Sequence, residues 1–313
     1  MTPSPPPPAV PGAVRATGAA VRHDLWAAVR GRDLGSAAAV GTFQASLTVV
    51  PSLLVAVAFS GLLIGEDGVL REGGRLAAAL PAPMGAPAAV RAVLAAGLRL
   101  PWWGVLFAVI MASAYGAGLS RCLLPFSPRV HRAEPLRRPG WWQRALTLPL
   151  LGLAPLCLCG FLLTVGRLSR PLGAGPLPAV GAVFGSLTVL WLLTWAPLTW
   201  TYRVVGPGRP SWRAAFAGAL CGGAFVSGFL HGFVVFLAVP VDLGRPFGGL
   251  TAVGVVTGLL LWVWVVHAVV CVGYALVWAV DARLRGTMPA AGDRAHAAAL
   301  AAASFQTPTS ASS

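Results

Sequence analysis

The chain has 313 residues, of which 57% are hydrophobic and 10% charged, with a mean hydropathy of +0.76 and a formal net charge of +14. A soluble domain of that length needs far more charge to cover its surface, and the apolar runs are too long and continuous for a barrel of short alternating strands. What remains is an all-α, polytopic membrane protein: a six-transmembrane-helix bundle preceded by a short amphipathic N-terminal helix.

Residues 1–12, "MTPSPPPPAVPG", are proline-rich and predicted to be disordered; they lack the apolar core of a cleaved signal. Over 13–34, Val14, Val21, Leu25 and Val29 recur at helical spacing with Arg15, Arg22 and Arg30 between them. That pattern predicts an amphipathic helix on the inner membrane surface, although a solvated helix would share it. A membrane domain follows over 35–282, with spans near 36–64, 102–124, 145–166, 180–202, 214–239 and 250–280. The first and last are long enough to tilt.

Between the first two spans, residues 65–101 carry Glu66, Asp67 and Glu72, then Val90, Val93, Leu94, Gly97 and Leu98 at a spacing that suits a helix on the outer interface. Trp102, Trp103, Trp141, Trp142, Trp200 and Trp212 stand near span ends, as interfacial belts do. Residues 283–313 are rich in alanine and serine and read as a disordered cytoplasmic tail.

All 23 positive charges are arginines. Sixteen fall in the N-terminal segment, the second-to-third and fourth-to-fifth connections and the tail; seven fall on the other side. The positive-inside rule then puts both termini in the cytoplasm, with the spans in the plasma membrane. It also accounts for the basic charge without a nucleic-acid partner, and none is expected. Membrane lipids are the expected partners, and a homo-oligomer or an envelope protein partner is left open. In this topology, a cysteine introduced at position 85 is labelled by an impermeant reagent from outside and one at position 135 is spared. The reverse pattern, or labelling of both, would sink it.

The first span, "TFQASLTVVPSLLVAVAFSGLLIG", is apolar yet carries a polar stripe. At 100° per residue, Gln44, Thr48, Pro51 and Ser52 share one helical face about 100° wide. Pro51 lacks the N–H that would bond the Leu47 carbonyl, and a freed carbonyl needs a partner other than lipid. The stripe therefore points into the bundle, either packing on another helix or lining a pathway.

Two ionisable groups lie deep in the spans, His231 and His267, and intramembrane ionisable groups are functional candidates by default. They stand ~12 and ~24 Å from the outer ends of their helices, too far apart in height to pair directly. A neutral histidine bonded to a serine or a carbonyl is the plainer role. All nine acids fall in connections or at span ends, which argues against a carboxylate relay.

The one acid cluster, Glu66, Asp67 and Glu72, has no histidine nearby, so the expectation is no catalytic residue, no metal, no cofactor and no enzyme. Cys122, Cys157, Cys159, Cys221 and Cys271 sit in or beside apolar runs and read as packing residues. Close helix contacts are expected at Gly181/Gly185, Gly218/Gly222, Gly228/Gly232, Gly254/Gly258 and the ladder Ala112, Gly116, Ser120.

Taken in order, several stretches resemble the YihY/BrkB family over roughly residues 30–280. They are Phe43, Thr48, Pro51 and Leu53 in the first span, "LPAP" at 80–83, "LGLAPL" at 151–156, "WAPLTWTYRVVGPGRPSWRAAFAGAL" at 195–220 and "PFGGLTAVGVVTGLLLWVWVVHAVVCVGYAL" at 246–276. Two features depart from the pattern. Gly273, Tyr274 and Ala275 stand where the family has Gly-Ala-Glu, and the asparagine that usually ends the second span is absent from "LSRCLLPF". The resemblance implies a six-span inner-membrane protein linked to envelope integrity and serum resistance. It also implies transport of lipid or a small solute as the activity. The family's former ribonuclease label finds no supporting residues here. The rival reading is a non-transporting scaffold that binds a partner through its arginine-rich cytoplasmic loops.

Overall fold

The computed structural model describes residues 21–80, 85–128, 140–168, 176–238 and 242–285. The expectations for residues 1–12 and for the tail beyond 285 lie outside them. Among the described residues the secondary structure is helical, and six helices are long and apolar enough to cross a membrane.

Residues 21–29 form α1. Its Leu25, Ala28 and Val29 pack on the bundle core while Trp26 stays exposed. Asp24, 7% exposed, accepts from Arg283 Nε at 3.2 Å, which ties α1 to the far end of the chain. The chain then turns at Gly31, whose φ of +77° is cheap only for glycine. Helix α2 (Leu34–Ile64) starts where the Asp33 carboxylate accepts the Ser36 N–H at 2.9 Å. Hydrogen bonds from the Ser36 side chain and then its backbone hold the Asp33 carboxyl below its ordinary range. The helix continues through Pro51 and stops at Gly65, φ +75°.

The long connection holds two helices, α3 (Glu66–Ala79) and α4 (Ala86–Leu98). Only the second is expected from the sequence, because α3 mixes charges and glycines and has few large apolar residues, although these do fall on one helical face. Glu66 and Asp67 favour its positive N-terminal end. Its buried Val69 joins Val57 and Leu94 in a small separate core. Two glycines permit that docking. A Cβ at Gly73 would stand 2.1 Å from Leu94 Cδ1, and one at Gly97 would stand 2.6 Å from Val57 Cβ. Thus α4 packs on α2.

The remaining helices are α5 (Trp102–Leu123), closed by a 3₁₀ turn Leu124–Phe126; α6 (Gly140–Ala145); α7 (Leu148–Leu168); α8 (Pro176–Trp200), which runs into a π turn Thr201–Val205; α9 (Trp212–Ala238); and α10 (Thr251–Leu284). Five long helices pack in a closed ring: α2 on α10, α10 on α9, α9 on α8, α8 on α7, and α7 back on α2. Helix α5 lies along α2, outside that circuit.

Every neighbouring pair in the ring shares a side-chain-to-carbonyl bond. Trp264 Nε1 donates to Gly35 at 3.0 Å and Trp262 Nε1 to Phe229 at 3.1 Å. Trp191 Nε1 donates to Leu220 at 2.8 Å, Cys157 Sγ to Leu193 at 3.7 Å and Ser60 Oγ to Pro155 at 3.3 Å. A lipid solvent offers no competing partner to these donors, which favours their pairing across helices.

Small-residue spacing proved only partly informative. Gly218 admits Val277, and Gly116 admits Thr147, each so tightly that a Cβ would collide. Gly181 and Gly228 have nothing within 4 Å of a Cβ and mark no contact. Spacing of four puts glycines on one face; it does not bring a neighbour to that face.

Candidate functional site

Helices α2, α5 and α10 meet at a buried polar layer. His267, 4% exposed, places Nδ1 2.8 Å from the Val263 carbonyl and Nε2 2.9 Å from the Tyr115 hydroxyl. A carbonyl only accepts, so Nδ1 carries a proton; in the neutral ring the Tyr115 hydroxyl then donates to Nε2. Both ring nitrogens are thereby bonded within the protein. Beside it, Cys122 and Cys271 touch sulfur to sulfur at 3.2 Å. Gly41 lets α2 approach: a Cβ there would stand 2.3 Å from His267 Cδ2 and 3.1 Å from Cys122 Sγ.

The first-span stripe belongs to the same seam. Gln44 lies over Gly118 of α5, where an added Cβ would come within 2.0 Å of Gln44 Cγ. Thr48 is 3% exposed and donates to the Gln44 carbonyl at 2.8 Å; Ser52 donates to the Thr48 carbonyl at 2.7 Å. Both hydroxyls are engaged on their own helix. Pro51 is half-buried beside them. Gln44, the one long polar side chain of the stripe, therefore packs on α5 and Thr48 is buried, while Ser52 is half-buried. Of the other two hydroxyls, Thr42 is also buried, bonded to Ala38, whereas Ser46 is exposed.

His231 is bonded elsewhere. Its Nε2 lies 2.8 Å from Ser186 Oγ on α8 and its Nδ1 3.2 Å from the Ser227 carbonyl. The Ser186 hydroxyl also lies 2.8 Å from the Val183 carbonyl, so its one proton serves either acceptor. The two histidines thus serve different seams, α8 with α9 and α5 with α10. Among the acids, Glu72 bonds Arg75 Nη1 at 2.5 Å, and this bond holds its carboxyl below the ordinary range. No group of three or more His, Cys, Asp or Glu is placed to hold a metal among the described residues.

A second polar cluster escaped the reading of the sequence. The turn "GPGRPS" at 206–211 docks on the end of α10. Asp281, 1% exposed, accepts the Ser211 N–H at 2.8 Å and Arg285 Nε at 2.8 Å. Tyr274 donates to the Pro207 carbonyl, and Tyr202 donates to the Val270 carbonyl at 3.1 Å. Gly273 leaves room for the Tyr202 hydroxyl, which a Cβ would meet at 2.4 Å.

Tyr274 and Ala275 are both fully buried here, so the departure from Gly-Ala-Glu is a packed tyrosine and a small neighbour instead of a charge. A usable signal was present. The chain has three tyrosines, Tyr115, Tyr202 and Tyr274, and each hydroxyl bonds across helices or to this turn.

A family model described as Virulence factor BrkB matches residues 25–298. No curated protein and no solved structure matches the chain.

Proposed function

This chain belongs to the virulence factor BrkB family, and from that premise we propose that it is a plasma-membrane protein of envelope maintenance that exports lipid or a small solute, with both termini cytoplasmic. The observation that carries the reading is α8. It is packed between α7 and α9, yet only 6% of its most apolar stretch is buried, against 44% in α5 and in α9. Such low burial on a helix with neighbours on both flanks is what a wet face toward the ring would give, and α10 is next lowest at 17%. Five helices spaced ~9 Å apart in a regular ring have axes about 8 Å from its centre. Side chains reach ~5–6 Å from each axis, which leaves a central radius of about 2–3 Å. A small solute fits that width, whereas a lipid needs the helices to part and its tails to stay in the bilayer.

The proposal includes no catalytic step, no cofactor and no nucleic acid. One observation favours the scaffold reading instead: the α2 stripe and the His267 layer are bonded within the protein and offer a permeant little. Reconstituted vesicles separate the two. The conduit reading expects faster loss of an entrapped small solute, or faster dithionite quenching of a fluorescent phospholipid, than in protein-free vesicles. If neither trace departs from the protein-free control, the transport reading fails and the scaffold stands.

A further inference from the structure

The start of α2 and the end of α5 frame an open cleft of about 310 Å³, the lower end of the range for ligand sites. Arg32, in the turn before α2, and Arg121, in the last turn of α5, line it, with Asp33 and Ser36 beside them and Ala37, Val40 and Pro125 as an apolar wall. The amide end of α2 is not what the cleft offers, because Asp33 already accepts the Ser36 N–H. Its character comes from the arginines: among the described lining residues there are two, against one carboxylate, and Arg32 also has a partner within the protein. The Arg32 guanidinium lies 5.9 Å from the centroid of the Phe126 ring, which helps fix its position. Arg121 is exposed, and among the described residues no carboxylate lies within ion-pair distance of it.

The apolar wall does not stop at the cleft. Val40, Phe43, Leu47 and Val50 follow one another at helical spacing along one face of α2, and all four are exposed. A cationic cleft that opens onto an apolar track matches a molecule with an anionic head and an aliphatic tail.

We propose that this cleft binds the phosphate of an anionic membrane phospholipid between Arg121 and Arg32, with an acyl chain along Val40, Phe43, Leu47 and Val50. Guanidinium groups suit phosphate oxygens because their planar N–H pairs match two oxygens at once. Free phosphate would use the arginines and leave the apolar track bare. A zwitterionic headgroup would bring its own cation against two others. The site does not depend on transport: a resident lipid would bind there equally in a conduit or a scaffold.

The test uses the full chain in neutral detergent, with native mass spectrometry to read affinity for phosphatidylglycerol and phosphatidylcholine. Phosphatidylglycerol should bind more tightly, and Arg121→Gln should weaken it about fivefold while leaving phosphatidylcholine unchanged. Arg121→Gln with Arg32→Gln should weaken it about twenty-five-fold. Because Arg32 packs on Phe126 and its loss could disturb the fold, Val40→Trp supplies a second arm. That change fills the cleft from an exposed position, leaves both charges in place and should also weaken phosphatidylglycerol. Unchanged phosphatidylglycerol affinity in both Arg121→Gln and Val40→Trp overturns the site. Inorganic phosphate that competes as well as the lipid does would show a soluble-anion site and overturn the lipid assignment.

Discussion

Gly41→Leu is expected to destabilise the protein by about 2–3 kcal/mol, the upper part of the range for overpacking a tight core. A side chain at position 41 must enter space held by the His267 ring and the Cys122 sulfur. Neither can yield cheaply. His267 is pinned at both nitrogens, and Cys122 is fully buried against Cys271. The substitution should therefore push α2 away from α10 and break the Tyr115–His267 bond with it. Thermal unfolding in detergent, followed by tryptophan fluorescence, reads the loss. The comparison is Gly181→Leu, which makes the same change in a helix where a Cβ meets nothing within 4 Å. It should stay within about 0.5 kcal/mol of the parent. If the two variants melt alike, the close approach at Gly41 is not a determinant of stability.

The second large effect is expected at Asp281. Its carboxylate is buried and accepts two bonds, one from the Ser211 backbone and one from Arg285. Asp281→Ala leaves the Ser211 N–H without this acceptor and the 206–211 turn without its anchor, at a cost of about 2–3 kcal/mol. Asp281→Asn retains an acceptor for Ser211 and should cost about 1 kcal/mol. Arg285 is half exposed, so its side of the pair is screened by solvent, and Arg285→Gln should cost less than about 1 kcal/mol. The same melting assay orders the three variants. An Arg285→Gln loss as large as that of Asp281→Ala would mean that the ion pair, not the capped turn, carries the stability.

These two sites differ in how far they can be read from the residues alone. Gly41 and His267 lie 226 positions apart, and no local pattern brings them together; their meeting depends on how α2 crosses α10. Asp281 is legible as an acid near the end of the last span. Its partner, the Ser211 amide, appears only once the turn after the π segment folds back onto α10. The docking of α3 is likewise tertiary: its apolar residues share one helical face, but nothing local shows that Val69 and Gly73 meet α2 and α4.

What the sequence determined by itself is what the bilayer dictates. A chain this apolar must satisfy its backbone internally, so long apolar runs become helices wherever they occur. Six helices long and apolar enough to span a membrane follow from that rule. Tertiary structure decided which helices touch. Hydropathy is nearly the same around a membrane helix, so it does not say which face meets which neighbour. The ring of five helices, the separate bonding of His231 and His267, the docking of the 206–211 turn on Asp281 and the arginine-lined cleft all rest on shape and on paired donors and acceptors. Those pairings join residues distant in the chain, and only the folded arrangement brings them into contact.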